Sequence, residues 1–431
     1  MNSGSTPASQ RPRKLAWIAL ALLILALAAG VGLRYVLQQQ HVSRLVLDQL
    51  GRALGLTITS SGTTQYSVRG TPTLVIRDVI AVEPGATAPL LRADRIFVSL
   101  PWSTIRALTA GTAGTTITMD RIELDHPSLD LDALQRWLAH RPPGKTRYPV
   151  LRKGLKVTDG RITTRGWSLD AFALDAPLLA PDQRFTGHVA GRYRSGGTQL
   201  PFDLRVVLSR PTSDAALGLA GQVAIERDSW RMPSRVVLSG MLHVANGWRL
   251  ERARLAAASR YQSGGTSAPF AAGIAGTLQY RDARTMLAPL ALVVHGSGVI
   301  PDLIANGNAS LSETLGLKLA GTLPTWPDGW PALPPPIGAS RSPLAFGLQY
   351  LGSLDLSDPL ALQLRRDAAL FDGSFRAFEV SKWLAAGPGT SPIPPLTGRV
   401  SMPRLDIAGA QLQGVDISIS DSDAAAVKST P

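Results

Sequence analysis

The segment RIELDHPSLDLDALQRWL, residues 121 to 138, places four carboxylates and one imidazole within ten positions of each other. Carboxylates next to an imidazole are the groups from which metal sites and acid–base pairs are built. Whether they can act together depends on the geometry that their spacing imposes. The five residues are Glu123, Asp125, His126, Asp130 and Asp132.

The spacing of the apolar residues favours a structural explanation. Side chains alternate along a strand, so Glu123 and Asp125 are expected on one face, opposite a face formed by the residues between them. After Pro127 the alternation resumes, with Asp130 and Asp132 again on the solvent side. A lone histidine without a nearby partner histidine is a weak metal signal. The positions expected on the apolar face are Ile122, Leu124, His126, Leu129 and Leu131.

A short helix is predicted directly after this strand. Asp132 can serve as its N-cap, because an Asp side chain accepts hydrogen bonds from the first free N–H groups of a helix. Leu134, Trp137 and Leu138 follow at positions i, i+3 and i+4, which gives one apolar stripe. The whole segment is therefore interpreted as a strand and a helix start, with no catalytic or metal-binding residues.

The composition predicts a mainly β protein. Charged residues make up 17% of the 431 residues, aromatic residues are sparse, and 41 Gly and 32 Pro suit many short strands joined by turns. The absence of cysteine excludes disulfides and thiolate metal sites. Nucleotide-binding and hydrolase motifs such as GxGxxG, GxSxG and HExxH are also absent, and the six histidines are dispersed. We therefore expect neither an enzyme nor a cofactor.

The formal charge of +13 predicts affinity for an anionic partner. The basic residues are scattered and lack interleaved aromatic residues, which argues against nucleic acid. Phospholipid headgroups or another anionic lipid fit this charge better.

Residues 15–33, LAWIALALLILALAAGVGL, predict a transmembrane anchor. Nineteen uncharged residues are long enough to cross a hydrocarbon core of about 30 Å. The basic residues in the tail 1–14 predict a cytoplasmic N-terminus, which sends the rest of the chain across the membrane. A cleaved signal peptide is the alternative, because Ala26-Leu27-Ala28 forms a small-x-small site. The anchor begins at Leu15 and ends at Leu33, and Trp17 is also assigned to it.

Helical spacing of apolar residues predicts an amphipathic helix over residues 34–55, capped by Gly55. Strand signals then recur from residue 56 to 420, before a polar tail at 421–431. Asp159-Gly160 and Asp372-Gly373 are candidate hairpin turns. The proline-rich segment 323–343 predicts an irregular loop and a possible domain boundary.

Two strands show the alternation most clearly. In PFDLRVVLSR the even-numbered positions from 202 to 208 are apolar and face away from Asp203 and Arg205, as in a sheet with one wet side. PLAFGLQYLG has the same pattern. The candidates for an apolar binding surface are Phe202, Leu204, Val206, Leu208, Leu344, Phe346 and Leu348.

Several segments resemble the AsmA family. TPTLVIRDV is similar to its opening P-x-L-x-I-x-D-V strand, and RADRIFVSLPWSTIRAL to its next strand and helical turn. ITMDRIELDHPSLDL is similar to its I-x-x-I-x-L-x-x-P-x-L-x-L strand, with Pro127 at the family's proline. LKVTDGRIT and the closing LTGRVSMPRLDIAGAQLQGVDISIS extend the resemblance along the chain.

The resemblance implies a bacterial inner-membrane protein with one transmembrane helix, a cytoplasmic N-terminus and a periplasmic domain. That domain would be an elongated, curled antiparallel β-sheet forming a groove, with a few short helices. Related chorein-type bridge proteins imply transport of phospholipid between membranes in support of outer-membrane biogenesis. A periplasmic scaffold that binds an outer-membrane or secretion-system protein is the alternative function, because a related fold can serve that role.

Overall fold

The structure is a computed structural model that describes residues 55–62, 65–67, 70–109, 118–140, 150–211, 214–245, 247–330, 333, 338–354, 356–386, 395–407 and 410–420. The tail 1–14, the apolar segment 15–33, the helix expected over 34–55 (apart from Gly55) and the tail 421–431 lie outside these ranges. No helix within the described ranges combines the length and apolarity needed to cross a membrane.

The chain forms two compact units, Met1–Gly247 and Trp248–Pro431. The described part of each unit consists mainly of β-strands paired almost throughout in antiparallel fashion, and three short helices accompany them. The expectation of a mainly β fold is thus confirmed. The proline-rich segment is the connection between two neighbouring strands of the second unit, which end and begin at Leu323 and Leu344.

The first unit contains fourteen described strands and two helices. They are β1 (Thr57–Ser60), β2 (Gln65–Ser67), β3 (Thr73–Val82), β4 (Leu91–Ser99), α1 (Trp102–Thr109), β5 (Thr118–Met119), β6 (Arg121–Asp125), β7 (Ser128–Asp130), α2 (Leu131–Ala139), β8 (Val150–Leu151), β9 (Leu155–Thr163), β10 (Ser168–Ala176), β11 (Phe185–Ser195), β12 (Thr198–Leu208), β13 (Asp214–Arg227) and β14 (Trp230–Ala245).

In the first unit β1 and β2 both pair with one edge of β3, and β4 pairs with its other edge. β6 and β7 both pair with β4, one after the other, so they occupy the same position in the sheet. β9 then pairs with β6 and β7 in parallel, because α2 carries the chain back to the starting end of the sheet. From β9 to β14 each strand pairs antiparallel with the next.

A contiguous hydrophobic core lies in the early part of this unit. Its buried residues all fall between Leu56 and Phe172, on strands of this range, on α2 and on the connections next to them. α2 contributes the apolar stripe that the sequence predicted, since Leu134 and Trp137 are 1% and 4% exposed. The N-cap differs from the prediction. It is Asp130, whose Oδ1 accepts a hydrogen bond from the N–H of Ala133 at 2.8 Å, and not Asp132, which lies inside the helix.

Residues with left-handed backbone conformation lie in one line across the sheet of the first unit, with β4 between the first and the second of them. Asp78 in β3, His126 between β6 and β7, Asp159 in β9 and Ala171 in β10 have φ of 52°, 48°, 50° and 49°. The pairing registers place His126, Asp159 and Ala171 at adjacent positions, and Asp78 in line with His126 across Asp94 of β4. Local irregularities of this kind bend a strand and increase its twist. We call these four residues the kink line.

The second unit contains ten described strands and one helix. They are β15 (Gly247–Ser263), β16 (Thr266–Arg281), β17 (Arg284–His295), β18 (Leu303–Leu311), β19 (Leu315–Leu323), β20 (Leu344–Gly352), β21 (Leu360–Arg366), β22 (Ala369–Phe375), α3 (Ala377–Ala386), β23 (Leu396–Ile407) and β24 (Ala410–Ile419). Each strand pairs antiparallel with the one that follows it.

Both predicted Asp-Gly hairpin turns are wrong. Asp159 and Gly160 lie within β9, where Asp159 belongs to the kink line. Asp372 and Gly373 lie in the middle of β22. Asp-Gly favours positive φ, and at the first pair Asp159 adopts it within a strand irregularity instead of a turn. At the second pair neither residue has a positive φ.

We expect Asp130→Ala to weaken α2 by about 1 kcal/mol, because the mutation removes the side chain that caps its first turn. Asp132→Ala should cost less, since Asp132 accepts only an exposed hydrogen bond from the N–H of Arg165. Hydrogen exchange of peptides covering residues 131–139 measures the effect locally. Equal loss of protection in the two variants would contradict the assignment of the cap.

Candidate functional site

Two acidic residues of the segment 121–138, Glu123 and Asp125, form ion pairs with arginines on β4 and β6. Arg95 of β4 contacts Asp125 at 2.8 Å and Glu123 at 3.1 Å, and Glu123 also contacts Arg121 at 2.6 Å. The hydrogen bond that Arg95 donates to the Asp125 carboxylate raises the pKa of Arg95 above its ordinary value, and Glu123 adds to this, while burial acts in the opposite direction. These carboxylates therefore hold neighbouring strands together.

His126 does not share the apolar face with Ile122 and Leu124, contrary to the sequence-based expectation. Its left-handed backbone ends the alternation at Asp125, so its side chain is 56% exposed. Nδ1 of His126 lies 3.5 Å from Asp94, and Nε2 lies 3.5 Å from Asp159. The imidazole thus stands between two carboxylates. Leu131, also expected on that face, is the first residue of α2.

Among the described residues, no group of three or more His, Asp or Glu side chains is arranged to hold a metal ion. The geometry around His126 shows why these three residues do not form such a group. Its two nitrogens point to different carboxylates on opposite sides of the ring, so the three side chains do not converge on one point.

The more extensive feature of the first unit is an apolar face on β11 to β14. The cross-strand registers align Val189 with Leu204, Leu204 with Gly221, and Gly221 with Val236. The parallel row through Val206 contains Leu219 and Leu238. Positions 185–193, 200–208, 217–225 and 232–242 that share this face are apolar, glycine or, at Ser234, a hydroxyl.

This face is only half-buried. Phe202, Leu204, Val206 and Leu208 are all partly exposed, whereas the alternate residues Asp203 and Arg205 are exposed on the opposite face. A sheet that packs on a second layer would bury such side chains, as β3, β4 and β6 bury theirs. The apolar face therefore continues from the core into a surface that solvent or a ligand can reach.

The second unit repeats the arrangement on its own sheet. One row joins Leu319, Leu348 and Leu362, and the next joins Phe346, Leu364 and Phe371. All six side chains are partly exposed. Between β17 and β23 the remaining half-buried apolar residues on this face are Leu287, Leu292, Val294, Leu303, Leu315, Leu317, Leu360, Phe375, Leu396 and Val400.

Six of the seven predicted surface residues thus lie on half-buried apolar faces. Leu344 differs, because it is only 2% exposed. It lies at one end of β20, in a row with Leu323 and Arg366, which are also buried. This end of the second unit's apolar face is closed by its own side chains, so Leu344 offers little surface to a ligand. The anchor residues Leu15, Trp17 and Leu33 lie outside the described ranges.

Most residues of both faces were not among the positions predicted from the sequence. Residues such as Val189, Leu219 and Leu319 carry the same alternation as Leu204, in the strands FTGHVAGRYRS, DAALGLAGQVAIER and LGLKLAGTL. Two kinds of small residue weaken the contrast between the faces of these strands. Glycine occupies positions on the apolar face, such as Gly187, Gly221 and Gly321, and alanine occupies positions on the opposite face, such as Ala216 and Ala220. Counting every second position across consecutive strands would have identified both faces.

Comparison with known protein families, with curated proteins and with solved structures finds no match to this chain.

Because the chain has no cysteine, single cysteine variants can report on the face directly. In the folded protein, freed of bound apolar molecules, we expect Leu204→Cys to react with N-ethylmaleimide more slowly than the exposed Arg205→Cys. It should react far faster than Leu134→Cys, whose site is in the core. Mass spectrometry gives the three rates. Protection of Leu204→Cys equal to that of Leu134→Cys would show that the face is closed.

Proposed function

We propose that this protein carries the acyl chains of a phospholipid, or of another anionic lipid, along its apolar sheet faces. In this proposal the protein is anchored in the bacterial inner membrane, exposes its β domain to the periplasm and supports outer-membrane biogenesis. The faces act as a groove that shields hydrocarbon from water. The protein transfers lipid and makes or breaks no covalent bond.

The observation that carries this proposal is the half-buried apolar face in each of the two units. Hydrocarbon placed on such a face gains about 25 cal/mol for each Å² removed from water, or about 0.8 kcal/mol per methylene. The side chains of Leu204, Val206 and Leu219 also lose water at the same time. A lipid acyl chain is long and apolar, and it matches rows of aliphatic residues that continue from strand to strand.

The type of contact that the face offers suits movement of an acyl chain along it. Contacts between aliphatic side chains and an acyl chain are non-directional and individually weak. A chain can therefore shift from one row, such as Leu319–Leu348–Leu362, to the next without breaking a hydrogen bond. A charged headgroup would stay at the edge of the sheet, because an unpaired ion on the apolar face is strongly disfavoured.

Two features of the sequence support the location and the class of ligand. The net charge of +13 favours association with anionic headgroups. The segment 15–33 and its basic flank are typical of a single inner-membrane anchor. The resemblance of several strands to the AsmA family points to the same compartment and the same ligand class.

The proposal predicts that a carboxylate on the apolar face reduces lipid binding. Leu204→Asp and Leu348→Asp each place a group without an ionic partner against hydrocarbon, which disfavours lipid occupancy by several kcal/mol unless the carboxyl is protonated. Both positions are partly exposed, so we expect the variants to fold. Phospholipid that copurifies with the detergent-extracted full chain is quantified by native mass spectrometry, and folding by circular dichroism.

Arg205→Asp is the matched control for Leu204→Asp, because it lies on the opposite face of the same strand, β12. Arg365→Asp is the control for Leu348→Asp and lies on the opposite face of β21, which pairs with β20. They change the net charge more than the test variants do, so a purely electrostatic effect would be larger in the controls. Equal lipid in all variants and wild type, or no lipid in wild type, would refute the proposal. A folded, lipid-free wild type would favour the periplasmic scaffold instead.

A further inference from the structure

The polar face of the second unit contains a pocket that the lipid proposal does not use. It has a volume of about 430 Å³ and opens on the side of β18 to β22 that faces away from the leucine rows. A small-molecule site of this size is at the lower end of the usual range of about 300–1,000 Å³. All of its lining residues belong to the second unit.

The pocket is built by strand register. Asn308, Lys318, Gln349, Ala361 and Ser374 are consecutive cross-strand partners on five adjacent strands. Directly paired side chains on one face lie about 5 Å apart. Asn308 and Ser374 are 66 residues apart in sequence, yet they belong to one cross-strand row, in which Ala361 is the single apolar member.

The polar groups of this row are available to a ligand. Lys318 forms no ion pair, and Asn308, Gln349 and Ser374 make no side-chain hydrogen bond with other residues that the structure describes. Asn308, Lys318 and Gln349 are also solvent-exposed. The row thus offers one positive charge together with amide and hydroxyl groups that both donate and accept hydrogen bonds.

Small residues form the floor of the pocket, and a leucine forms one wall. Gly316 has no side chain, and a Cβ there would lie 2.7 Å from Oγ of Ser310. Ala361 is similarly short. Leu351, beside them, is 76% exposed, although it lies on the polar side of β20. An apolar wall next to amides and a cation matches a ligand that has both a hydrocarbon surface and polar substituents.

We infer that this pocket binds a phosphorylated sugar or cyclic polyol. The Lys318 ammonium would pair with the phosphate, the amides of Asn308 and Gln349 would bind the ring hydroxyls, and Leu351 would pack on the apolar side of the ring. A free sugar phosphate and the inositol phosphate headgroup of a lipid share this chemistry. The pocket lies across the sheet from the apolar face, so this inference does not depend on the lipid proposal.

The test uses the full chain in detergent and measures binding of glucose 6-phosphate, glucose and inorganic phosphate by calorimetry. Micelles doped with phosphatidylinositol provide the headgroup in lipid form. Wild type is expected to bind glucose 6-phosphate saturably and at least about tenfold more tightly than either glucose or phosphate alone. Saturable binding only in the doped micelles would support the same site with a lipid headgroup as its ligand.

Two variants and a control separate this site from general attraction to a basic protein. Lys318→Met removes the charge, and Gly316→Val fills the floor without changing any charge. Each should weaken binding about tenfold or more while leaving the circular dichroism spectrum unchanged. Arg365→Met removes an exposed cation from the same polar face outside the pocket and should change binding less than about twofold.

Three results would overturn the inference. These are no saturable binding of glucose 6-phosphate or phosphatidylinositol up to about 10 mM, equal binding of inorganic phosphate, and equal losses in Lys318→Met and Arg365→Met. Retention of copurified phospholipid in Lys318→Met would leave the lipid proposal intact, so failure of one idea is distinguishable from failure of the other.

Discussion

Cross-strand register is the constraint on which both faces of each sheet depend. Side chains alternate with a period of two, so a slip of one residue would exchange the two faces of a strand. From β18 to β22 the ladders contain no register shift, and every leucine of the row Leu319–Leu348–Leu362 keeps its partner. The polar row through Lys318 and Gln349 is fixed by the same ladders, one residue away. The apolar face and the polar pocket are therefore two results of one pairing pattern.

The kink line shows how the first unit departs from this regularity. A left-handed non-glycine residue costs roughly 1–2 kcal/mol, so four in one line across a sheet need compensation. Asp and His tolerate this conformation better than most residues, which accounts for Asp78, His126 and Asp159. Backbone hydrogen bonds continue on both sides, from His126 N–H to the Thr158 carbonyl and from Arg161 N–H to the Pro127 carbonyl. The histidine at the centre of the acidic segment thus marks a bend in the sheet.

Local sequence patterns predicted the strands well, because alternation is a property of each strand alone. The segment TPTLVIRDV, expected to be a strand, lies in β3 from Thr73 onward, and the apolar stripe of α2 is as expected. The errors occur where distant residues decide the outcome. Arg95, Asp94 and Asp159 become partners of Asp125 and His126 only through strand pairing. The Asp-Gly pairs were misassigned because a local preference for positive φ does not distinguish a turn from a bulge.

The pocket was beyond local prediction for the same reason. Nothing in the sequence near Asn308 indicates that Lys318, Gln349 and Ser374 will stand beside it, since the proline-rich segment separates the second and third of these strands. The length of that loop does not disturb the register on either side, because the entropic cost of closing a loop grows only slowly with its length. The strands from Leu315 to Leu323 and from Leu344 to Gly352 still pair end to end.

The half-buried apolar faces carry a thermodynamic cost that the buried core must offset. The contiguous core around Leu91, Ile96 and Leu134 stabilises the first unit independently of any ligand, so the strands beyond it can expose aliphatic side chains without loss of the fold. Binding to the folded state alone then adds stability in proportion to ligand occupancy. Contacts of this kind discriminate apolar from polar molecules but hardly distinguish one acyl chain from another. Under the proposed function, selection among lipids would therefore depend on groups outside the apolar faces, where charged and hydrogen-bonding side chains could contact a headgroup.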